Sequence, residues 1–189
     1  MVAVIYGSSR ARGSSAAMAD RLVAGLRAQD KDVQEFRLCG LAIRGCAACY
    51  GCKKESVRCV IRDGLEPVLA AVEKADSVVL ACGVFWADVP SQVKALIDRC
   101  YSFYQPEFWA KENQSRFTSR KKLCFLLPQG NGDASLYSDI AARYGAVMKN
   151  VGFDFKPDYA VRGIGVGSAA DVLAKPELLA AIDGLADKL

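Results

Sequence analysis

Four of the eight cysteines fall in one short run, Cys46-x2-Cys49-x2-Cys52-x6-Cys59. Three cysteines at this spacing let consecutive turns of a loop bring their sulfurs toward one centre, and a fourth a few residues on can close a tetrathiolate. Gly45 and Gly51 give the backbone the freedom such a loop needs. Four thiolates suit an iron–sulfur cluster, although the x3 spacing and proline that end a ferredoxin run are missing. They also suit zinc, whose structural sites more often set two Cys-x2-Cys pairs further apart. Plain thiols or a disulfide are the remaining readings. In a reducing compartment, clustering favours metal or redox chemistry over structural disulfides. The chain has no histidine, which removes Ser-His-Asp and Cys-His catalysis and every His-ligated metal site. Cys39, Cys82, Cys100 and Cys124 lie in or beside apolar runs and read as buried structural thiols.

A second set of reactive residues is the stretch Gly7-Ser-Ser-Arg-Ala-Arg-Gly-Ser-Ser15. It follows an apolar run and opens a helix-period segment, the place where an α/β sheet offers backbone amides and the positive end of a helix dipole to an anion. The hydroxyls of Ser8, Ser14 and Ser15 can donate to phosphate oxygens, and Arg10 can neutralise their charge. Neither the P-loop nor the dinucleotide glycine pattern is written here. The plain alternative is a polar turn with a capping serine.

These groups must be carried by elements, and the chain alternates apolar runs with helix-period segments, the mark of a doubly wound α/β domain. Strands are expected over Val2–Tyr6, Asp32–Leu38, Ser77–Cys82 and Lys122–Leu127, with a fifth over Phe153–Val161 broken by Pro157. Helices are expected over Ser14–Arg27, from a capping box at Asp63-Gly-Leu-Glu66 to Lys74, from about Ser91, over Ala134–Val151, and from Ala169 to the end. The expected architecture is a flavodoxin-like three-layer sandwich around a five-stranded parallel sheet of order 2-1-3-4-5. One domain over residues 1–189 is expected, with a cysteine loop at 45–60 and an aromatic, charged insertion at 103–119. The insertion reads either as a surface loop or as an arm covering the cofactor or a neighbouring subunit.

Gly7-Ser8-Ser9-Arg10 with Gly13-Ser14-Ser15 resembles the FMN-phosphate loop of the NAD(P)H-dependent FMN reductase superfamily. Gly83-Val-Phe-Trp-Ala-Asp-Val-Pro90, followed by Lys94 and Asp98-Arg99, is similar to that superfamily's Pro-x-Tyr-x-x-x-x-Pro…Lys…Asp-Arg stretch. Gln129-Gly130-Asn131-Gly132 resembles its second flavin loop, so the likeness spans about residues 2–133. Gly83 stands where proline is usual and Phe85 where tyrosine is common, which bears on hydrogen bonds around the ring. The resemblance implies FMN. Its phosphate would lie on Ser8, Arg10, Gly13, Ser14 and Ser15. Its ring would lie against Val84, Phe85, Trp86, Ala87, Asp88 and Val89, and against Gln129, Gly130, Asn131 and Gly132.

Physical chemistry agrees with that placement. A flavin ring needs apolar or aromatic faces and backbone donors along one polar edge. Phe85 and Trp86 follow the third strand at the topological switch point, and Gly130 and Gly132 allow close approach. Core packing or a dimer contact is the plainer role for the two aromatics. The cysteine run resembles the compact motif of the iron–sulfur flavoprotein branch. That branch implies a [4Fe–4S] cluster on Cys46, Cys49, Cys52 and Cys59, electron exchange between cluster and FMN, and assembly as homodimers or homotetramers.

A formal net charge of +4 with scattered Lys and Arg argues against a nucleic-acid partner. No window approaches the ~20 apolar residues of a membrane span, and the first residues do not read as a signal peptide; a cytoplasmic protein is expected. The leading expectation is an FMN-dependent oxidoreductase or electron carrier served by NAD(P)H or ferredoxin. Its rivals are a cluster-free NAD(P)H-dependent FMN or quinone reductase and a non-catalytic phosphate- or zinc-binding module.

Overall fold

The computed structural model describes residues 1–54 and 58–189, so part of the cysteine loop expected at 45–60 lies outside the described residues. Strands β1 (Val2–Tyr6), β2 (Val33–Arg37), β3 (Ser77–Ala81) and β4 (Lys121–Gln129) pair in parallel in the order β2-β1-β3-β4. The fifth position is shared by β5 (Phe153–Asp154) and β6 (Ala160–Ile164), which pair with the two ends of β4. Pro157 opens the short helical turn Pro157–Tyr159 that separates them. A residue without an N–H cannot continue a ladder. The expected break is real, and the sheet has six strands, not five.

The central strands are buried on both faces, as continuous apolar runs in a parallel sheet require. Alternation then assigns each side chain to a layer. Ala3, Ile5, Val78, Leu80, Leu123 and Phe125 join one core. It packs under α2 (Glu66–Lys74), α3 (Ser91–Arg99) and α4 (Ile140–Lys149) through Val72, Leu96 and Met148. Val2, Val4, Val79, Cys124 and Leu126 join the other, under α1 (Ser14–Ala28), α5 (Ala169–Leu173) and α6 (Pro176–Ala186) through Leu22, Val172 and Ile182.

Three boundaries differ from expectation, each for a local reason. Helix α4 starts at Ile140, not Ala134. Asp133 accepts from the backbone and hydroxyl of Ser135, and Tyr137 takes a left-handed φ of 61°, so local side-chain bonding outcompetes the helix there. The terminal helix divides because Pro176 starts a new one, while Ser168 and Asp171 form a capping box for α5. The box expected at Asp63 does not form. Helix α2 has no side-chain cap, Glu66 pairs with Arg62, and Asp63 is committed to Arg99.

Candidate functional site

Parallel pairing brings three loops to one edge of the sheet. Gly7 N–H donates to the Ala81 carbonyl, Cys82 N–H to Leu126 and Val84 N–H to Pro128. The loops after β1, β3 and β4 therefore leave side by side, at the point where the helices on β1 and β3 diverge to opposite faces. That crevice is where open α/β sheets take ligands.

In the first loop, Gly7 has no room for a side chain: a Cβ would lie 2.1 Å from Val93 Cγ2 and 3.0 Å from Cys82 Cβ. Ser8, Ser14 and Ser15 are buried. Ser8 Oγ accepts from Arg10 N–H at 3.1 Å, and Gly13 N–H returns to the Arg10 carbonyl at 3.3 Å, closing a turn ahead of α1. The first-turn amides of such a helix have no acceptor within it. The Arg10 guanidinium donates to Gly167 O at 3.2 Å, tying the loop to the segment after β6. A small cavity beside the loop is lined by Ser8, Arg10, Ser15, Arg37 and Cys39.

In the second loop, Phe85 and Asp88 exchange both backbone hydrogen bonds, at 2.7 and 3.0 Å. The two residues between them, Trp86 and Ala87, have φ of 48° and 65°, the left-handed pair that a two-residue hairpin of the primed type demands. Trp86 is 101% exposed. A large aromatic held in open solvent on a strained backbone contributes nothing to the core, so core packing is not its role. Val84 and Val89 flank the hairpin, Val89 buried. Asp88 anchors it: its carboxylate accepts from Val89 N–H at 2.7 Å, Tyr144 OH at 2.8 Å and Arg143 at 3.1 Å. Burial alone would push this carboxyl up, but the bonds from Arg143, Val89 and Tyr144 outweigh it and hold it below the usual range. Burial and the same bond raise Tyr144 to about 12.

The third loop is braced by its first residue. Buried Gln129 donates to the carbonyls of Asn131 (3.1 Å) and Asp133 (2.9 Å) and accepts from Arg162 at 2.8 Å. Its side chain shapes the loop from within. A Cβ on Gly130 or Gly132 would meet nothing within 4 Å, so their open faces leave room for a flat ligand.

The cysteine loop lies apart from these three. Cys46, Cys49, Cys52 and Cys59 line one cavity of about 360 Å³ together with Arg99, Tyr101 and Ser102. All eight cysteines are free thiols. Among the described residues no three Cys, His, Asp or Glu side chains stand close enough to share a metal ion. The expected convergence of four sulfurs is thus not reached. The loop has little regular structure beyond the turn Gly51–Lys53 to fix the thiols on a common centre.

Three cations that sequence reasoning did not assign to this loop surround it. Arg99, with a fully buried side chain, pairs with Asp63 at 2.6 Å and donates to Ile61 O at 2.9 Å. Asp63 in turn accepts from Arg44 N–H at 2.9 Å, so one ion pair pins both ends of the loop. Arg116 donates to Cys52 O at 2.7 Å. Lys53 donates to Tyr101 O and Tyr104 O, both at 2.7 Å. Burial raises the Cys52 thiol, and the charges of Lys53 and Arg116 offset part of that rise. The insertion read as a surface loop or an arm lies beside the cysteine loop: Tyr104 stacks on Phe108, and Tyr101, just before the insertion, meets Tyr50 edge-on. Arg99 was visible in sequence as part of the Asp98-Arg99 resemblance, which carried no link to the cysteine loop. Arg116 left no signal.

Residues 1–121 match the family described as NADPH-dependent FMN reductase. An iron–sulfur flavoprotein of Archaeoglobus fulgidus is 32% identical over 95 residues, covering 50% of this chain and 43% of that one. The aligned stretches span less than half the length of the curated relatives matched. Among solved structures, RosB with bound 8-demethyl-8-formylriboflavin-5'-phosphate superposes with a TM-score of 0.77 at 14% identity, covering 98% of this chain and 75% of RosB. The flavodoxin of Megasphaera elsdenii gives 0.59 at 14% identity, with all of each chain covered. At such identities the structures establish a flavodoxin-like fold and nothing further.

Proposed function

The chain belongs to the NADPH-dependent FMN reductase family, and from that premise we propose that it is an FMN-dependent oxidoreductase drawing electrons from NAD(P)H, with ferredoxin as the one-electron alternative. The observation that carries this reading is the meeting of three loops on one sheet edge, each suited to a different part of FMN. The helix amides, the hydroxyls of Ser8, Ser14 and Ser15, and Arg10 would hold the phosphate. Gly13 lets the chain turn into the helix behind it. The N–H groups of Val84, Phe85, Asp88 and Val89 are spent within the protein, so the backbone at the hairpin tip, Trp86 and Ala87, would meet the polar edge of the ring, with the Trp86 indole available to cover a face. Gly130, Asn131 and Gly132, on a loop shaped by Gln129, would approach from the other side. Bound FMN supplies the electron chemistry; these residues orient it and limit its contact with water.

In the same reading, Cys46, Cys49, Cys52 and Cys59 hold a [4Fe–4S] cluster, and the chain assembles as a homodimer or homotetramer. The donor set fits such a group in type and number, and two buried guanidinium N–H groups described below stand ready for its negative charge. The family match by itself fits a second reading equally, a cluster-free FMN or quinone reductase. Anaerobic purification separates the two. The first predicts flavin absorption bleached by NAD(P)H together with about four iron and four sulfide per chain. Bleaching without iron gives the second. Colourless protein that takes up no FMN rejects both, and zinc without flavin leaves a non-catalytic binding module.

A further inference from the structure

Two buried cationic donors beside the cysteines have nothing to bind. Among the described residues, Arg99 Nε and Arg116 Nη1 are the buried side-chain polar atoms without a hydrogen-bond partner. An unmade bond from a buried charged group is costly, so each calls for an explanation. Other nitrogens of both guanidiniums are engaged. Arg99 spends Nη1 on Asp63 and Nη2 on Ile61 O, and Arg116 spends Nη2 on Cys52 O. Arg99 lines the cavity that the four cysteines line, and Arg116 grips the backbone of one of them. The site therefore has spare N–H groups and positive charge on one side, and sulfurs on the other.

We propose that Arg99 and Arg116 are the positioning residues of the cysteine site, their free N–H groups donating to thiolate sulfur once the cysteines are deprotonated and hold a metal. This rests on the four-cysteine reading above. A tetrathiolate around a divalent ion carries two negative charges, and a buried site can hold them only with compensating charge and donors. Outer partners of this kind typically govern metal affinity by 10–100-fold. The two arginines reach the loop from different elements, α3 and the 103–119 segment.

Cobalt(II) is the probe, because thiolate-to-cobalt charge transfer reports sulfur ligation directly. Titration of the reduced full-length protein should give a four-thiolate spectrum. Arg116→Gln and Arg99→Lys, which keeps a charge for Asp63 but lacks the Nε–H, should each weaken cobalt affinity about tenfold. Arg116→Lys should stay within about threefold of the parent, since its ammonium, with no carboxylate to claim it as Asp63 claims residue 99, can still donate to sulfur; a tenfold loss there overturns the donor role of Arg116. Thermal melts identify any variant that fails to fold, and either folded variant decides the matter. Equal affinity in parent, Arg116→Gln and Arg99→Lys overturns the arginine role while leaving the four-cysteine site standing. A parent that shows no sulfur-to-cobalt band overturns both.

Discussion

Asp63 and Arg99 show how one residue pair can organise a site from outside it. The Asp63 side chain is 6% exposed and its partner fully buried, so removing one charge strands the other. Asp63→Asn should destabilise the protein by about 3–5 kcal/mol at neutral pH. Burial raises the Asp63 carboxyl, but the bonds from Arg99, Arg44 and Leu65 outweigh it, and the folded value lies below the ordinary one. The stabilisation is therefore complete above about pH 4, the unfolded range, and is lost as pH falls through the lower folded value. Urea melts of parent and variant should converge on acidification; a constant gap would contradict the assignment. The thiols divide in the same way. Burial drives Cys82 and Cys124 up to about 12 and raises Cys100 too, whereas Cys39, Cys46 and Cys49 are exposed. Alkylation of the native protein should label the exposed three and spare the buried three, as mass spectrometry would read. Apolar context identified Cys82, Cys100 and Cys124 as buried, but it misplaced Cys39: that thiol follows the edge strand β2, is exposed, and donates to Ser9 O at 3.2 Å. The sequence did not reveal the Asp63–Arg99 pair, since the Asp63-Gly-Leu-Glu66 pattern also spells a capping box and the true partner is 36 residues away.

At the scale of elements, the proposed flavin site rests on the loops after β1 and β3, which can be altered separately from the fold. Replacing both Arg10 and Ser14 by alanine removes two donors of the charge-assisted kind, worth together about 3 kcal/mol, or roughly a hundredfold in FMN affinity. The melting temperature should hardly move, because Arg10 is exposed and binds only Gly167 O. Trp86→Gly should behave in the opposite sense on stability. It relieves a left-handed residue, a gain of about 1 kcal/mol, while weakening FMN binding about tenfold if the indole covers the ring. An unchanged affinity would return Trp86 to the surface. Strand positions were legible to within a residue or two for β1 and β3, because strands buried on both faces leave unbroken apolar runs, and for β2, a partly exposed edge strand. The start of α4 was not, since Tyr137 adopts a left-handed φ that its residue type does not announce. The primed hairpin at Trp86-Ala87 was equally hidden: neither residue is the glycine or asparagine that usually signals it.

For the whole molecule, the sheet order and the crevice follow from the alternation of apolar runs and helices, and the flavodoxin-like fold was readable on that ground. The cysteine site was legible as a motif and not as a geometry, because spacing fixes which sulfurs can meet and a loop with one short turn does not make them do so. No helix of the described residues is long and apolar enough to cross a membrane. We propose that the edge where β1, β3 and β4 end holds a flavin by its phosphate. Parallel equilibrium titrations with FMN and with riboflavin, which differ only in that phosphate, test it most directly. One FMN should bind per chain, at least about a hundredfold more tightly than riboflavin. Equal affinity for the two, or no binding of either, would contradict it.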